Sequence, residues 1–499
     1  MSIISRILIP MIMVAIAAMP SGCGFRPADV DVTLDGGRTA SEQELALMGG
    51  IPPAQVGFML YDLDMHTAIA GHNSSVAFIP ASTTKVPITV TALNVLGPDY
   101  RFKTYLGYEG SISDGVLDGT LYLKGTGDPL LTMADLMAMA DHLKKKGISS
   151  VSGRFVYDES DLASTTSING SMEPDMPYNS GLSALSLDYN SVIADWKPDR
   201  DMNAMTFRLT PSLPVNRAGL SREKLGDNIT FSYRNNGGIE SWFLSPEEKR
   251  GGTDRLPVKN PALYTASTFA SMCAMRGIRL PRPEAGTMPD GASAILVHEG
   301  IPLTGIADIT LTYSINLMAE LMSLSAAKKL SGKALPVDES SRAVFAYLED
   351  KLDGISWKGL SAVNGSGLTV RNRITPEQMT AILAYADAQD YNGKKFRYLL
   401  PASGWEGSLA NRLDDPETAL RVLAKTGSIN YVLTLAGYLY TASKRNIAFD
   451  IFINDITARE QYDADPNRRS KASMARVYAW TNRAKSVMDG IVKSWITGL

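Results

Sequence analysis

Residues 78–85 read Phe-Ile-Pro-Ala-Ser-Thr-Thr-Lys and place Ser82 and Lys85 three positions apart. We expect residues 82–96 to form a helix, with an irregular first turn because Pro87 has no N–H to donate. Residues three apart share one face of a helix, so the hydroxyl and the amine would be neighbours. A lysine whose pKa is lowered by burial beside other cations can accept the serine proton. The stretch therefore predicts a nucleophile and base that need no histidine.

The four-residue spacing is not specific by itself. The same Ser-x-x-Lys pattern occurs at residues 221–224 and 325–328, and a capped helix with a solvated lysine is the alternative explanation. A second motif, Lys425-Thr426-Gly427, occurs once and lies in an expected strand over residues 422–429. Glycine lets a substrate backbone approach the strand, while Lys425 and Thr426 can hold a carboxylate.

Sites of this kind use a third element, Ser-x-Asn, and Ser-Ile-Asn occurs at residues 167–169, 314–316 and 428–430. The first lies in a loop rich in Ser, Thr and Gly, and the third continues the Lys-Thr-Gly strand. Ser314-Ile315-Asn316 leads directly into an amphipathic helix, so we choose it. Class A β-lactamases and penicillin-binding proteins combine the three elements in this order.

Longer blocks of the chain resemble the D-alanyl-D-alanine carboxypeptidase/endopeptidase family of low-molecular-mass penicillin-binding proteins. These blocks are residues 78–85, 125–129, 182–190, 314–320, 364–368, 407–409 and 424–428. The long interval between Ser82 and Ser314 is also similar to that family, which inserts extra domains there. Three positions depart from the family pattern, namely Tyr313, Ile315 and Asn364. None of them would transfer a proton, so these differences bear on substrate preference.

The resemblance implies a serine D,D-peptidase of peptidoglycan with neither a metal nor a cofactor. Its catalytic residues would be Ser82, Lys85, Ser314, Asn316 and Lys425, and its substrate-binding residues Thr426, Gly427 and Ser428. Ser82 would attack the carbonyl between two terminal D-alanines while Lys85 acts as the general base. The expected partners are stem peptides and β-lactam antibiotics, the latter as covalent inhibitors. A β-lactamase or esterase using the same site, or a non-catalytic wall-binding lipoprotein, are the alternatives.

The expected fold class is α+β, with a β-lactamase/transpeptidase-like catalytic domain made of an antiparallel sheet flanked by helices. Two strands within residues 55–72 and three within 422–454 predict one sheet built from distant parts of the chain. The catalytic domain would comprise residues 24–102 and 296–499. Residues 103–295 would form an inserted β-rich region of one or two small domains.

Helices are expected at several positions with clear capping signals. Thr132 precedes a helix with the acidic Asp135 at its third position, and Thr375 begins a capping box with Gln378. Residues 317–332 and 470–495 are also helical in pattern. Residues 148–300, which follow the helix after Thr132, are expected to consist of strands and loops.

The N-terminus resembles a secretory signal over residues 1–22, since Arg6 precedes an apolar stretch that is too short to span a bilayer comfortably. Cys23 follows small residues and is a lipidation candidate, as in bacterial lipoproteins. Ordinary cleavage nearby and an uncleaved anchor are the alternatives. Each of them places the body of the chain outside the cytoplasm, in the periplasm or its equivalent, with attachment to the membrane through a lipid if Cys23 is modified.

Composition excludes several other classes of protein. Lys and Arg total 49 against 52 Asp and Glu, and the net charge of −3 leaves no electrostatic footprint for nucleic acid. Two cysteines and four histidines exclude a disulfide scaffold and a protein with several zinc sites. Cys273 is expected to be a small buried apolar residue.

Overall fold

The computed structural model describes residues 25–34, 36–199, 204–225 and 229–499. The strands are β1 Arg38–Thr39, β2 Val56–Asp62, β3 Thr67–His72, β4 Lys103–Ser113, β5 Val116–Gly125, β6 Ser150–Val151, β7 Arg154–Asp158, β8 Ser191–Asp199, β9 Ala204–Thr210, β10 Asn216–Leu220, β11 Phe231–Asn236, β12 Ile239–Leu244, β13 Gly252–Pro257, β14 Pro283–Ala285, β15 Ser293–Glu299, β16 Val422–Ile429, β17 Val432–Tyr440 and β18 Asn446–Asn454. The helices are α1 Glu42–Leu47, α2 Lys85–Leu96, α3 Met133–Lys145, α4 Pro261–Met275, α5 Leu303–Tyr313, α6 Asn316–Ser331, α7 Val337–Lys351, α8 Pro376–Ala388, α9 Ile456–Ala464 and α10 Lys471–Gly498.

The first and last strands of the chain form one six-stranded sheet in the order β1-β3-β2-β18-β17-β16. Its pairs are antiparallel except for β1 and β3, which run parallel. The two halves of the chain meet where β2 pairs with β18, with Phe58 opposite Ile451. The expected sheet assembled from both ends of the chain is therefore confirmed.

Both faces of this sheet are buried, and side chains along a strand alternate between them. On β18, Phe449 and Ile451 face a core completed by α10, including Trp495. Ala448 and Phe452 face the opposite core, to which α2, α5, α6, α7 and α8 contribute. This second core holds the helices α2 and α6, which begin at Lys85 and Asn316, against the sheet.

Residues 103–299 form further sheets around a separate core that includes Phe155, Trp242 and Phe269. The strand orders are β14-β7-β5-β4-β15 with β6 beside β5, then β13-β8-β9, then β10-β12-β11. Since β15 ends at Glu299 and α5 begins at Leu303, we propose a boundary between the two regions near residue 300 rather than 295.

The expected helices after Thr132 and Thr375 are confirmed, each with a reciprocal capping box. The expectation of strands and loops over residues 148–300 is wrong at α4, which begins with an Asn260 cap and a proline in its first turn. This helix is apolar on most of its faces because it lies inside the inserted core, so it shows little amphipathic periodicity. Cys273 on α4 is fully buried, as expected, and burial raises the pKa of its thiol to about 12.

The expected signal over residues 1–22 and the lipidation candidate Cys23 lie outside the described residues. In the part of the chain that the structure describes, no helix has both the length and the apolar character needed to cross a membrane.

Candidate active site

The nucleophile candidate lies in a tight turn at the start of α2. Residues Ala81–Thr84 form a 3-10 turn, and regular α-helix begins only at Lys85, three residues later than expected. Pro87 accounts for this, because it cannot donate a hydrogen bond to the carbonyl of Thr83. Ala81 has a positive φ of 46°, a strained conformation for a residue with a Cβ. The turn leaves Ser82 partly exposed above a buried Lys85.

Lys85 is fully buried, and its amine has three neighbours. Nζ lies 2.9 Å from Ser82 Oγ, 2.7 Å from Asn316 Oδ1 and 2.7 Å from the carbonyl oxygen of Ser366. Burial lowers the pKa of Lys85 well below its ordinary value, and the charge of Lys425 lowers it further, while Glu320 opposes the shift. Burial therefore favours the neutral amine, which is the form that can accept a proton from Ser82.

The Lys-Thr-Gly motif lies on β16, the edge strand of the main sheet. The N–H groups of Val422 and Ala424 point away from β17, because they bond to Ser403 Oγ and the Pro401 carbonyl. Alternate residues of a strand direct their N–H groups the same way, so Ser428 N–H also lies on this outer edge. At Gly427, the same strand approaches the turn at residues 81–84.

Gly427 allows β16 to come close to the turn Ala81–Thr84 that carries Ser82, here called the nucleophile turn. A Cβ at this position would lie 2.2 Å from Thr434 Oγ1, 2.8 Å from the Pro80 carbonyl oxygen and 2.9 Å from the backbone nitrogen of Ser82. No side chain fits in that space. Glycine thus brings the N–H groups of Ser82 and of β16 together.

Lys425 and Thr426 lie beside this contact. Lys425 is fully buried, its Nζ donates to the Thr426 carbonyl over 2.7 Å, and burial lowers its pKa to about 7. Thr426 Oγ1 donates to Ser408 Oγ over 2.6 Å. Lys425 in its protonated form and the hydroxyl of the adjacent Thr426 are groups suited to bind a carboxylate.

Ser314 and Asn316 occupy the turn between α5 and α6. Ser314 adopts the left-handed conformation, with φ 59° and ψ 39°, and ends α5. Asn316 begins α6, where its Oδ1 accepts from Lys85 and its Nδ2 donates to the Tyr178 carbonyl over 3.0 Å. Among the hydrogen bonds of the described residues, none joins Ser314 to Ser82 or Lys85, so its place in the site rests on its position two residues before Asn316.

The other copies of the short motifs lie elsewhere. Asn169 donates to the Leu368 carbonyl and bonds to the backbone of its own loop. Ser221 Oγ donates to the Glu223 carbonyl, and Lys224 forms a surface ion pair with Glu247. Among the hydrogen bonds of the described residues, the Ser-Ile-Asn copy at 314–316 is the one that reaches Lys85.

Three groups at the site received no role from sequence reasoning, although each lies in a block that resembles the family. The Ser366 carbonyl accepts from Lys85, and Ser408 contacts Thr426. Glu320 is buried and accepts from the backbone N–H groups of Gly365 and Ser366. A backbone carbonyl leaves no side-chain signal in a sequence, and a lone glutamate on a helix reads as solvent-exposed.

The three positions that depart from the family pattern have local structural accounts. Tyr313 is exposed, and Ile315 packs against apolar side chains of α6 and its neighbours. Asn364 is buried and its Oδ1 accepts from the Gly367 N–H over 3.1 Å. Gly367 has a φ of 78°, and a Cβ there would overlap the Ala81 carbonyl, so this turn packs directly on the nucleophile turn.

The chain is similar to known proteins over most of its length. The model of the D-Ala-D-Ala carboxypeptidase 3 (S13) family matches residues 40–477. The D-alanyl-D-alanine carboxypeptidase DacB of Haemophilus influenzae is 27% identical over 421 residues, covering 80% of this chain and 85% of that protein. The D-alanyl-D-alanine carboxypeptidase of Actinomadura sp. (strain R39) is 24% identical over 482 residues, covering 90% and 85%.

Solved structures agree with the sequence comparisons. The crystal structure of penicillin binding protein 4 (dacB) from Haemophilus influenzae has a TM-score of 0.73 and 25% identity, and covers 82% of this chain and 93% of its own. A structure of the same protein complexed with a novel β-lactam has a TM-score of 0.69 at 25% identity, covering 80% and 90%.

Proposed function

This chain belongs to the D-Ala-D-Ala carboxypeptidase 3 (S13) family, and we propose that Ser82 and Lys85 are the nucleophile and base with which it acts as a serine D,D-peptidase. Its substrate class is the peptidoglycan stem peptide ending in D-Ala-D-Ala. It also binds penicillin-type β-lactams, which resemble the scissile amide and acylate the same serine. The activity is that of a carboxypeptidase, and we extend the proposal to cross-link cleavage by the same chemistry.

The observation that carries the assignment is the set of partners around Lys85. A neutral amine has two N–H groups and one lone pair. Asn316 Oδ1 and the Ser366 carbonyl can only accept, so they use the two N–H groups. Ser82 Oγ is the remaining neighbour and can donate its proton to the lone pair. The protonated ammonium can donate to all three of these neighbours, and the neutral amine that burial favours can instead accept the Ser82 proton without any change of partners.

Acylation follows from this arrangement. As the Ser82 oxygen bonds to the carbonyl carbon, its proton passes to Lys85. The backbone N–H groups of Ser82 and Ser428 stabilise the oxyanion, at roughly 2.7–4 kcal/mol for each donor. When the carbon–nitrogen bond breaks, the proton moves through Ser314 to the leaving amine. D-Alanine departs, or the amine of the second stem peptide in a cross-link.

Substrate binding and deacylation complete the cycle. Lys425 and Thr426 hold the terminal carboxylate, Gly427 provides the close approach, and Asn316 positions both Lys85 and the substrate backbone. Water then attacks the ester carbonyl, Ser82 recovers its proton and the shortened peptide leaves. Every proton transfer in this cycle uses side chains of the chain itself.

We place this activity outside the cytoplasm, where the substrate is found. The support is the signal-like sequence over residues 1–22 together with family membership. Lipidation of Cys23 would hold the enzyme at the membrane. Mass analysis of the mature N-terminus distinguishes a lipidated cysteine from simple cleavage.

Labelling with fluorescent penicillin tests the nucleophile. The wild-type chain should form a covalent adduct and Ser82→Ala should form none. Ser221→Ala is the matched control, since it removes the serine of another Ser-x-x-Lys pattern and should label normally. Equal labelling of Ser82→Ala would exclude Ser82 as the nucleophile. Rapid loss of the label with hydrolysed antibiotic would identify a β-lactamase instead.

Digestion of purified muropeptides followed by mass analysis tests the substrate. Loss of one alanine demonstrates carboxypeptidase activity, and conversion of cross-linked dimers to monomers demonstrates endopeptidase activity. Binding of muropeptides without either product would identify a wall-binding protein.

A further inference from the structure

Glu320 is a buried carboxylate directly beneath the active site, and the mechanism above does not use it. It lies one turn after Asn316 on α6 and is 1% exposed. One oxygen accepts the Gly365 N–H over 3.0 Å and the other accepts the Ser366 N–H over 2.8 Å. Burial raises the pKa of Glu320 above its ordinary value, while these two backbone donors, the Ser366 side chain and the charge of Lys85 act in the opposite direction and favour the ionised carboxylate.

The peptide that Glu320 holds is the one that contacts the base. Ser366 donates its N–H to Glu320 and accepts from Lys85 Nζ through its carbonyl. Gly367 follows at once, in a conformation that a side chain would strain, and packs on the Ala81 carbonyl. By holding residues 365 and 366 in place, Glu320 also holds the Ser366 carbonyl, which is one of the two acceptors that orient the Lys85 lone pair toward Ser82.

Charge gives Glu320 a second connection to the base. The charged groups that act on Lys85 are Lys425 on β16, which lowers its pKa, and Glu320 on α6, which raises it. Lys85 is in turn the charged group that acts on Glu320. These three buried groups are Lys85, Lys425 and Glu320. Their net charge is zero when Glu320 is ionised and one of the two lysines is protonated.

We propose that Glu320 is the positioning residue of the base: it anchors the 365–366 peptide that orients Lys85, and its negative charge favours the protonated form of that lysine. This inference rests on the proposed function, because it assigns a role relative to Lys85 as the base. It predicts two separable effects, one on the maximum rate of acylation and one on its pH dependence.

The sign of the pH effect follows from electrostatics. A negative charge nearby favours the protonated ammonium, so removing it lowers the pKa of Lys85. Acylation by Glu320→Gln should therefore persist to lower pH. The acid limb of its pH profile, the range over which the rate falls as Lys85 becomes protonated, should move down by on the order of one pH unit. Its plateau should fall as well, since an amide presents an NH₂ group to one of two backbone donors. Glu320→Asp keeps the charge, so its acid limb should stay in place while its plateau falls.

The experiment is a pH profile of penicillin acylation rates for the wild type, both Glu320 variants and Asp450→Asn. Asp450 is a fully buried carboxylate on β18 that bonds to Thr380, so its variant controls for loss of a buried acid outside the site. The proposal is supported if the acid limb moves to lower pH in Glu320→Gln and stays in place in the other two variants. A lower plateau with an unmoved acid limb would show a purely structural role and overturn it.

A measurement on the unmutated protein covers the case in which Glu320→Gln does not fold. Carboxyl ¹³C resonances of labelled glutamate, assigned with Glu320→Asp, should show Glu320 ionised throughout the acid limb. A neutral Glu320 over that range would overturn the proposal. Failure of the proposed function is distinguishable, because Ser82→Ala would then label like the wild type whatever the Glu320 variants do.

Discussion

Gly427 and Ser82 approach so closely that a methyl group on the glycine would lie 2.9 Å from the serine backbone nitrogen. The strand and the nucleophile turn come from distant parts of the chain, yet their backbones are in contact. The oxyanion hole depends on this contact, since its two proposed donors belong to Ser82 and Ser428. The geometry of the site therefore depends on the contact between these two backbone segments as well as on its side chains.

Gly427→Ala tests this contact. The added methyl group should displace β16 from the turn, costing about 1–3 kcal/mol of stability and lowering penicillin acylation by at least tenfold. Thermal unfolding and labelling kinetics measure the two effects. Gly490→Ala is the control and should leave labelling unchanged, because Gly490 lies within α10 and a Cβ there would meet only Leu47 of α1, at an ordinary 3.7 Å. Wild-type kinetics in Gly427→Ala would contradict the close approach.

Asn316→Ala should reduce acylation by about a hundredfold, since Lys85 loses an acceptor that orients its lone pair. Asn316→Asp keeps the acceptor oxygen but adds a negative charge beside Lys85. That charge raises the pKa of Lys85, so the acid limb of acylation should move to higher pH. Stopped-flow acylation across pH checks both variants. An unchanged acid limb in Asn316→Asp would show that residue 316 does not act on the base.

Lys425 should make peptide binding pH-dependent near neutrality. Burial lowers its pKa to about 7, so it is protonated below that pH and loses its charge above it. By pH 9 only about one molecule in a hundred would keep the charge in the absence of ligand. The affinity for acyl-D-Ala-D-Ala peptides should therefore fall as pH rises above 7, as measured by competition with labelled penicillin. A peptide with a C-terminal amide is the control, and an equal fall for both ligands would contradict a carboxylate at Lys425.

Glu44 should stabilise the fold at neutral pH but not in acid. Burial raises its pKa, but hydrogen bonds from Arg38, the Ser41 N–H and Trp495 outweigh burial and leave the pKa at about 2, below the ordinary 4.5. Its stabilising effect is thus complete above pH 4.5 and is lost as pH falls toward 2. Glu44→Gln should cost about 2–3 kcal/mol at pH 7, and clearly less at pH 3.

Urea unfolding at the two pH values measures the effect of Glu44→Gln. Glu42→Gln, on the exposed side of the same short helix, is the matched control and should change stability by less than about 0.5 kcal/mol. A difference between wild type and Glu44→Gln that is the same at pH 7 and pH 3 would show that the ionised carboxylate is not the stabilising group.

The elements with strong local signals were predictable from sequence. The capping boxes at Thr132 and Thr375 identify two helix starts, and the strand expected over residues 422–429 coincides with β16. The helix α4 was missed because its apolar residues face a core on most sides, which hides amphipathic periodicity. The late start of α2 at Lys85 reflects Pro87 and a turn held by contacts from Gly367 and Gly427.

The sequence by itself determined which side chains the chemistry could use and in what order they occur, because covalent spacing and residue type are written in it. The sequence also favoured Asn316 over Asn169 and Asn430, but only the tertiary structure decided that Asn316 hydrogen-bonds to Lys85, since that contact depends on packing between helices distant in the chain. The tertiary structure also decided the electrostatic environment of Lys85, the proposed base. The pKa of Lys85 depends on burial and on the charges of Lys425 and Glu320, which come together only when β16 and α6 close over α2.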